Sequence, residues 1–286
     1  MAGKNTVRFR GHESFIIREG WLNKGLLEVS QNPKLFFHNY GADDLGVGPN
    51  MAKAIRYWMR CSKLLDETKK TQIELSSLGE LLLEKDPYFE SLISLWIVHC
   101  NIATNTEQAT AWEIFFNTFD YEEFTREEME KELFTLAMRK ADGKKFAEKS
   151  LQDDCDAILR MYCKKEVAVT NPEEKNVSPF GALGLLKCSN GVYSKVQPDL
   201  NRIPPEIVLY LMCDCVGIGN GINIDELLRM EKGPGKVLNL KRTGLVELLE
   251  KLEAAGKITM NRTAGLDMVY LKDTLDKKSV IEDCYK

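Results

Sequence analysis

One stretch of the chain, residues 45–65, concentrates side chains that could bind a phosphate backbone. Its sequence is LGVGPNMAKAIRYWMRCSKLL, which holds four cations and no acidic residue. The cations are three, four and three residues apart, so on a helix they form one cationic face: Lys53, Arg56, Arg60 and Lys63. A face of cations without interleaved carboxylates suits a polyanion. The residue types and their spacing therefore predict contact with DNA.

The elements that position the cationic face predict a winged helix-turn-helix. Residues 33–45 favour a short first helix, residues 46–48 make a turn, and Pro49 stands where the second helix begins. A polar tip then separates two β-capable segments, as in a wing. In such a module the second helix enters the major groove and the wing touches the DNA backbone nearby.

Each polar residue of this predicted module has an expected role. We assign phosphate contacts to Lys53, Arg60, Lys63, and the wing-tip residues Lys69 and Lys70, and base contacts to Asn50 and Arg56. A helix cap is the alternative role for Asn50. Winged helices also serve as protein-docking domains, so pure scaffolding is the alternative for the whole module. The DNA interpretation requires that the cationic face is open to solvent and not neutralised by neighbouring carboxylates.

Composition limits any DNA contact to a local surface. The 286 residues carry a formal net charge of -4, which argues against coating nucleic acid by bulk charge. No apolar run reaches the roughly 18 residues that cross a bilayer, and no apolar signal segment follows the first cations. We therefore expect a cytoplasmic protein without membrane contact.

The sequence predicts neither an enzyme nor a cofactor or metal site. Four polar residues lie within one short segment: His12, Glu13, Arg18 and Lys24. They could form a site for phosphate, with a structural junction held by ion pairs as the alternative. The eight cysteines include no C-x-x-C pair, so buried, reduced thiols are expected rather than zinc ligands. Nuclease, nucleotide-binding and nucleophile motifs all lack the required spacing or setting.

The predicted fold is mainly α with small β-hairpins, an α+β class with winged helix-turn-helix modules near both ends and a helical middle region. We place the domains at residues 1–85, 86–170 and 171–286.

The C-terminal domain is a possible second winged helix with a different charge. Its presumptive second helix carries Glu247, Glu250 and Glu253 on successive turns, which would repel phosphate. We therefore expect a packing or docking module. A separate basic edge is the alternative, built from Lys236, Lys241 and Arg242.

Three local signals predict element boundaries. Asp86 before Pro87 is typical of a helix start, so a largely buried apolar helix is expected from there. Thr125 followed by Glu128 predicts a capping box. The Asn-Gly pair at residues 190–191, between two β-like runs, predicts a tight hairpin.

Several segments resemble an uncharacterised bacterial family of unknown function. They are FRGHESFIIREGWLNK at residues 9–24, LGVGPNMAKAIRYW, DPYFE followed by LWIVH, TAWEIFFNTF, and SPFGALGLL. The resemblance covers nearly the whole chain. It implies a gene in mobile defence loci, often beside a protein resembling phosphoadenosine phosphosulfate reductase and linked with DNA phosphorothioation or related anti-phage systems. It implies no activity for individual residues.

Together these observations predict a non-catalytic DNA-binding or adaptor subunit of a bacterial anti-phage defence or DNA-modification system. Its expected partners are double-stranded DNA and another protein of the defence system. Two alternatives stay open at this point. One is a protein-interaction scaffold for a sulfur-transfer or modification enzyme, and the other is an autonomous transcription regulator.

Overall fold

The computed structural model describes residues 7–163, 178–217, 220–263, 266–272 and 276–285. The chain divides into two units, Met1–Lys195 and Val196–Lys286. The predicted domain boundaries after residues 85 and 170 stay predictions, and the second of them lies outside the described residues.

Helices make up most of the first unit. They are α1 (Trp21–Gln31), α2 (Ala42–Leu45), α3 (Pro49–Cys61), α4 (Ser77–Lys85), α5 (Leu92–Ala103), α6 (Thr110–Asn117), α7 (Arg126–Ala141) and α8 (Glu148–Tyr162). Short 3-10 helices occur at Leu35–Phe37, Asn39–Gly41 and Pro179–Leu183. The helices α5 and α6 lie at the centre of this unit, since residues 94–103 and 110–117 are buried.

Two small antiparallel sheets complete the first unit. Their strands are β1 (Leu65–Asp66), β2 (Glu74–Leu75), β3 (Glu123–Thr125), β4 (Leu186–Ser189) and β5 (Val192–Lys195). The first sheet is a hairpin in which Leu65 lies opposite Leu75. In the second, β5 lies between β3 and β4, so Tyr193 is opposite both Phe124 and Cys188.

Helix α3 forms as its sequence predicts. It begins at Pro49, whose fixed φ suits the first helical position. The inner face consists of Ile55, Trp58 and Met59, which are fully buried. The Trp58 ring meets Trp112 of α6 edge to face, with 5.1 Å between centroids. This packing fixes which side of α3 is left for solvent.

Two of the three local boundary predictions are confirmed. Positive φ angles of 51° at Asn190 and 82° at Gly191 close the hairpin between β4 and β5. Thr125 and Glu128 form the predicted capping box at the start of α7.

The predicted start of the buried helix is wrong. Helix α5 begins at Leu92, and the side chain of Ser91 caps it. The Asp86 carboxylate instead accepts the backbone N–H groups of Glu90 and Ser91, at 3.0 and 3.1 Å, and the hydroxyl of Ser94. Asp86 therefore closes a turn that precedes the helix.

The second unit places most of its helices before a hairpin and one helix after it. Its helices are α9 (Pro205–Cys215), α10 (Ile224–Arg229), α11 (Pro234–Val237), α12 (Arg242–Ala254) and α13 (Lys277–Cys284), and its strands are β6 (Gly221–Asn223), β7 (Ile258–Thr263) and β8 (Leu266–Leu271). The antiparallel order is β6-β8-β7, with Val269 opposite both Ile222 and Met260. Leu245, Leu248 and Leu252 bury one side of α12.

The described residues thus form a mixed α and β fold with small antiparallel sheets, as predicted. None of their helices is both long enough and apolar enough to cross a membrane. The winged-helix modules stay an interpretation.

Candidate nucleic-acid interface

The outer side of α3 carries the predicted cationic face. Lys53, Arg56 and Arg60 are partly exposed on the side opposite the buried Trp58, and Lys63 is exposed just beyond the helix end. The side chains of Arg56 and Arg60 are 30% and 27% exposed. The cationic face therefore reaches the surface, but the side chains of its two arginines are only partly exposed there.

A single carboxylate, that of Glu67, holds both arginines. Nε and Nη2 of Arg56 donate to Oε1 of Glu67 at 3.1 and 2.8 Å. Nη2 of Arg60 donates to the same oxygen at 2.8 Å, and its Nε donates to Oε2. We call these three residues the Glu67 clamp. It joins α3 to the hairpin, because Glu67 directly follows β1.

The clamp shifts the pKa of Glu67 and that of Arg60 in opposite directions. Burial alone would raise the pKa of Glu67, but the hydrogen bonds from Arg60 and Arg56 outweigh it, so the pKa lies below its usual value. The hydrogen bond with Glu67 raises the pKa of Arg60. Glu67 and Arg60 are therefore ionised at neutral pH.

The Glu67 clamp offsets only part of the positive charge. One carboxylate faces two guanidinium groups, and its contacts use Nε and Nη2 of each, which leaves Nη1 of each outside the clamp. Across residues 49–75 the six cations still outnumber the three carboxylates, those of Asp66, Glu67 and Glu74. The segment keeps a positive surplus on a protein that is acidic overall.

At the start of α3, Lys53 contacts an aromatic ring and an amide. Its Nζ lies 4.6 Å from the centroid of the Tyr40 ring and 3.3 Å from Oδ1 of Asn50. Gly48 occupies the N-cap position and gives no side-chain cap. Asn50 is therefore an exposed residue within the first turn and not the cap of the helix.

The tip of the β1–β2 hairpin carries Lys69 and Lys70, which the sequence predicts at a wing tip. Nζ of Lys69 binds both carboxylate oxygens of Glu74, at 2.9 and 2.8 Å. Lys70 is exposed beside it. An exposed pair such as Lys69–Glu74 contributes little to stability, so this lysine can exchange its partner for a phosphate at low cost.

The four residues of the predicted polar site do not converge on one site. His12 is fully buried against Asp154 of α8, whereas Glu13 beside it is exposed. The Arg18 guanidinium lies over the Trp21 ring, 5.2 Å from its centroid. Nζ of Lys24 lies 3.4 Å from the carbonyl oxygen of a residue in α2. These contacts give no shared acceptor or donor set for a phosphate.

The pairing of His12 with Asp154 spans 142 residues of sequence, and no local sequence pattern predicts it. His12 Nε2 and Asp154 Oδ1 are 2.7 Å apart, and the backbone N–H of Arg10 donates to the same oxygen at 2.8 Å. Burial raises the pKa of Asp154 and outweighs the opposing contribution of the hydrogen bond with His12. The imidazole also stacks on Trp58, so the pair anchors the N-terminal segment against α3.

The anchored loop has a strained backbone. Arg10, Glu13 and Ser14 have φ angles of 57°, 50° and 69°, in the left-handed region that is unfavourable for residues with a side chain. A Cβ on Gly11 would lie 2.2 Å from the Tyr57 ring, so only glycine fits there. Packing against α3 and α8 must therefore hold this loop in place.

Replacing Glu67 by glutamine should lower the free energy of unfolding by about 1 to 3 kcal/mol at neutral pH, because a charged acceptor of several hydrogen bonds is lost. The lowered pKa of Glu67 means that its contribution is present above the unfolded-state pKa and is lost as the pH falls towards the folded-state value. Urea unfolding of both proteins should therefore show a gap that closes below pH 4.5, the usual value. A gap that persists in acid would contradict the ionic role of this carboxylate.

The described cysteines are free thiols, and Cys61, Cys100 and Cys155 are buried. Burial raises the pKa of Cys61 to about 12, which keeps this thiol protonated. The described residues include no group of three or more His, Cys, Asp or Glu side chains placed to hold a metal ion.

Comparison with known structures identifies two that share this fold. One is described as "Magnesium ion-bound SspB crystal structure" and aligns with a TM-score of 0.85 at 24% identity, over 97% of this chain and 87% of that chain. The other, "SspB crystal structure", aligns with a TM-score of 0.84 at 22% identity, over 99% and 89% of the two chains. At these identities the likeness shows the fold alone.

Comparison with curated proteins gives no match. The family described as "Protein of unknown function (DUF4007)" matches residues 9–285. Because that match spans almost the whole sequence, the chain belongs to the DUF4007 family of proteins of unknown function.

Proposed function

We propose that this protein binds double-stranded DNA through α3 and the β1–β2 hairpin, as the recognition or adaptor subunit of a bacterial anti-phage defence or DNA-modification system. The observation that carries the proposal is the positive surplus on the outer side of α3, on a chain with a net charge of -4. A local basic surface on an acidic protein is a focused site for phosphate rather than a general property of the molecule.

The order of elements supports a winged helix-turn-helix interpretation. Helix α2 ends at Leu45, a short turn follows, α3 begins at Pro49, and the β1–β2 hairpin comes directly after α3. In this interpretation α3 enters the major groove and the hairpin tip follows the DNA backbone. The Glu67 clamp fixes the angle between those two parts.

The clamp changes how the two arginines would act. Each guanidinium is held in one orientation, so its loss of side-chain freedom has already occurred before DNA arrives. Arg60 supplies a phosphate contact through the part of its fork outside the clamp. In this proposal Arg56 and Asn50 contact base edges, and Lys53, Lys63 and Lys70 contact phosphates.

The setting in a defence system rests on the family resemblance. The likeness to SspB structures is compatible with a protein associated with DNA phosphorothioation. One of those structures is described as magnesium ion-bound. The described residues of this chain group no three side chains of the types that hold such an ion. The proposed role is recognition, and no step of it is assigned to a metal.

The second unit suits a protein partner better than DNA. Arg242 of its predicted basic edge pairs with Asp225 and Asp267. The acidic residues of α12 are partly engaged, since Glu247 binds Lys251 and Glu250 binds Arg262. The ion pairs of Arg242 offset its charge, which makes this edge a weaker site for phosphate.

A salt titration of duplex binding tests the proposed function. With about four phosphate contacts, affinity should fall about a hundredfold between about 50 mM and about 200 mM salt, because each contact releases counterions. Fluorescence anisotropy of a labelled duplex measures this directly. Affinity that is independent of salt, or no duplex binding at low salt, would reject the DNA role.

The protein-interaction scaffold is the second candidate, and the Glu67 clamp is the observation that favours it. Glu67 already neutralises part of the positive charge on α3, so an external anion such as phosphate would be bound less strongly. Affinity capture from cells with and without nuclease treatment separates the two functions. A scaffold should retain its protein partner after nuclease treatment, whereas partners held through a DNA bridge should be released.

A further inference from the structure

Two aromatic side chains are exposed just before α3. Phe37 is 54% exposed and Tyr40 is 47% exposed. Leu35 and Phe36 in the same segment are buried, so the 3-10 helix Leu35–Phe37 turns one phenylalanine inward and the next outward. Exposed rings of this size leave apolar surface in water that a bound ligand would cover.

The backbone keeps the Tyr40 ring at the surface. Asn39, Tyr40 and Gly41 have φ angles of 44°, 57° and 77°, a run of left-handed residues. The Asn39 amide donates to the Asp43 carboxylate at 3.2 Å, and a Cβ on Gly41 would lie 2.9 Å from Cγ of Leu35. A strained turn that is anchored on both sides holds a side chain in one place, which is a property of binding sites.

Lys53 connects the Tyr40 ring to the cationic face of α3. Its ammonium lies 4.6 Å from the centroid of the Tyr40 ring. An aromatic ring with a cation beside it is the arrangement by which proteins stack unpaired bases while neutralising the adjoining backbone. The nearby carboxylates of Asp43 and Asp44 repel phosphate, so this end of the surface suits the uncharged face of a base.

From this juxtaposition we propose that Phe37 and Tyr40 form an aromatic wedge that stacks on an unpaired base next to the duplex held by α3. The preferred substrate is therefore double-stranded DNA that contains an unpaired nucleotide. This inference rests on the proposed function and deepens it. The lysines of α3 and of the hairpin supply affinity for the paired part, and the aromatic wedge supplies the preference for the unpaired base.

The test compares a fully paired duplex with the same duplex carrying one bulged 2-aminopurine. The full-length wild-type protein should bind the bulged duplex about tenfold more tightly, a difference typical of one stacked base. The fluorescence of 2-aminopurine should fall on binding, because stacking quenches it. The double variant Phe37→Ala with Tyr40→Ala should lose both effects while keeping its affinity for the paired duplex and the salt dependence of that affinity.

Two further variants control for fold and for ring exposure. Tyr88 is 67% exposed in the same unit, and Tyr88→Ala should leave the preference for the bulged duplex unchanged. Tyr40→Trp keeps an aromatic face and should retain both the preference and the quenching. Circular dichroism and thermal unfolding confirm that each variant is folded before binding is compared.

The possible outcomes separate this inference from the proposed function. Preference and quenching that disappear only in the double alanine variant support the aromatic wedge. Equal binding of both duplexes by the wild-type protein, or a preference that survives in the double variant, overturns the aromatic wedge but leaves the DNA role intact. Failure of the wild-type protein to bind either duplex overturns both.

Discussion

Reversing two lysines, Lys53→Glu with Lys70→Glu, should weaken duplex binding by about a hundredfold at low salt and reduce the salt slope by about 2. Lys53 is partly exposed near the start of α3, and Lys70 is exposed at the hairpin tip. Reversing both therefore removes two separate phosphate contacts. Reversing these two lysines tests DNA contact more sharply than reversing Arg56 and Arg60 does. Replacing Arg56 and Arg60 by glutamate would place two more carboxylates beside Glu67, which would destabilise the site as well as remove its positive charge.

The matched control for this prediction is Lys131→Glu with Lys187→Glu. Both lysines are exposed in the same unit, on α7 and β4, and the change in net charge is identical. If this control weakens binding as strongly as the test variant, affinity depends on bulk charge and the assignment to α3 fails. Duplex anisotropy titrations at several salt concentrations give both the affinity and the slope.

Replacing His12 by alanine should lower the free energy of unfolding by about 3 to 5 kcal/mol, the range for removing one partner of a buried pair. The Asp154 carboxyl would keep only the Arg10 N–H as a hydrogen-bond donor in a site where it is 1% exposed, and a cavity would form beside Trp58. Urea unfolding followed by tryptophan fluorescence measures the loss. DNA affinity of the folded fraction should not change, because the imidazole is inaccessible.

Two neighbouring variants test the reason for that loss. Asp154→Asn keeps an oxygen that can accept from both His12 and Arg10, so it should cost much less than loss of the imidazole. Glu13→Ala should remain within about 0.5 kcal/mol of the wild type, because Glu13 is exposed and alanine tolerates its backbone conformation equally. A Glu13 variant as unstable as His12→Ala would show that strain in the loop, and not the buried pair, dominates.

The sequence predicted those parts of the fold that depend on residues close together in the chain. Pro49, the apolar spacing of Ile55 with Trp58, and the Thr125 capping box each act within about one helical turn. Each of these patterns favours one local structure, so the sequence was enough to predict where these helices begin and which side of α3 is buried. The predicted start of α5 was wrong because two nearby residues could each cap the helix. Asp86 and Ser91 are both favourable cap residues, and the apolar run beginning at Leu92 favours Ser91.

Side-chain partners across elements could not be predicted in this way. The charge pattern of α3 identified Arg56 and Arg60 but gave no means to know that the hairpin returns Glu67 to them. The available signal was a carboxylate directly after β1, seven residues beyond Arg60, and its significance depends on how the chain turns back towards α3. The candidate site is therefore predicted in its position but not in its internal charge pairing.

The distance in sequence between His12 and Asp154 has a consequence for how the chain folds during synthesis. The ribosome makes the N-terminal loop first, but its buried partner emerges only 142 residues later. Until α8 has been translated, the left-handed residues of that loop lack the buried carboxylate that accepts hydrogen bonds from His12 and Arg10. The N-terminal region therefore reaches its final structure late in synthesis. Until then its apolar side chains are accessible to chaperones.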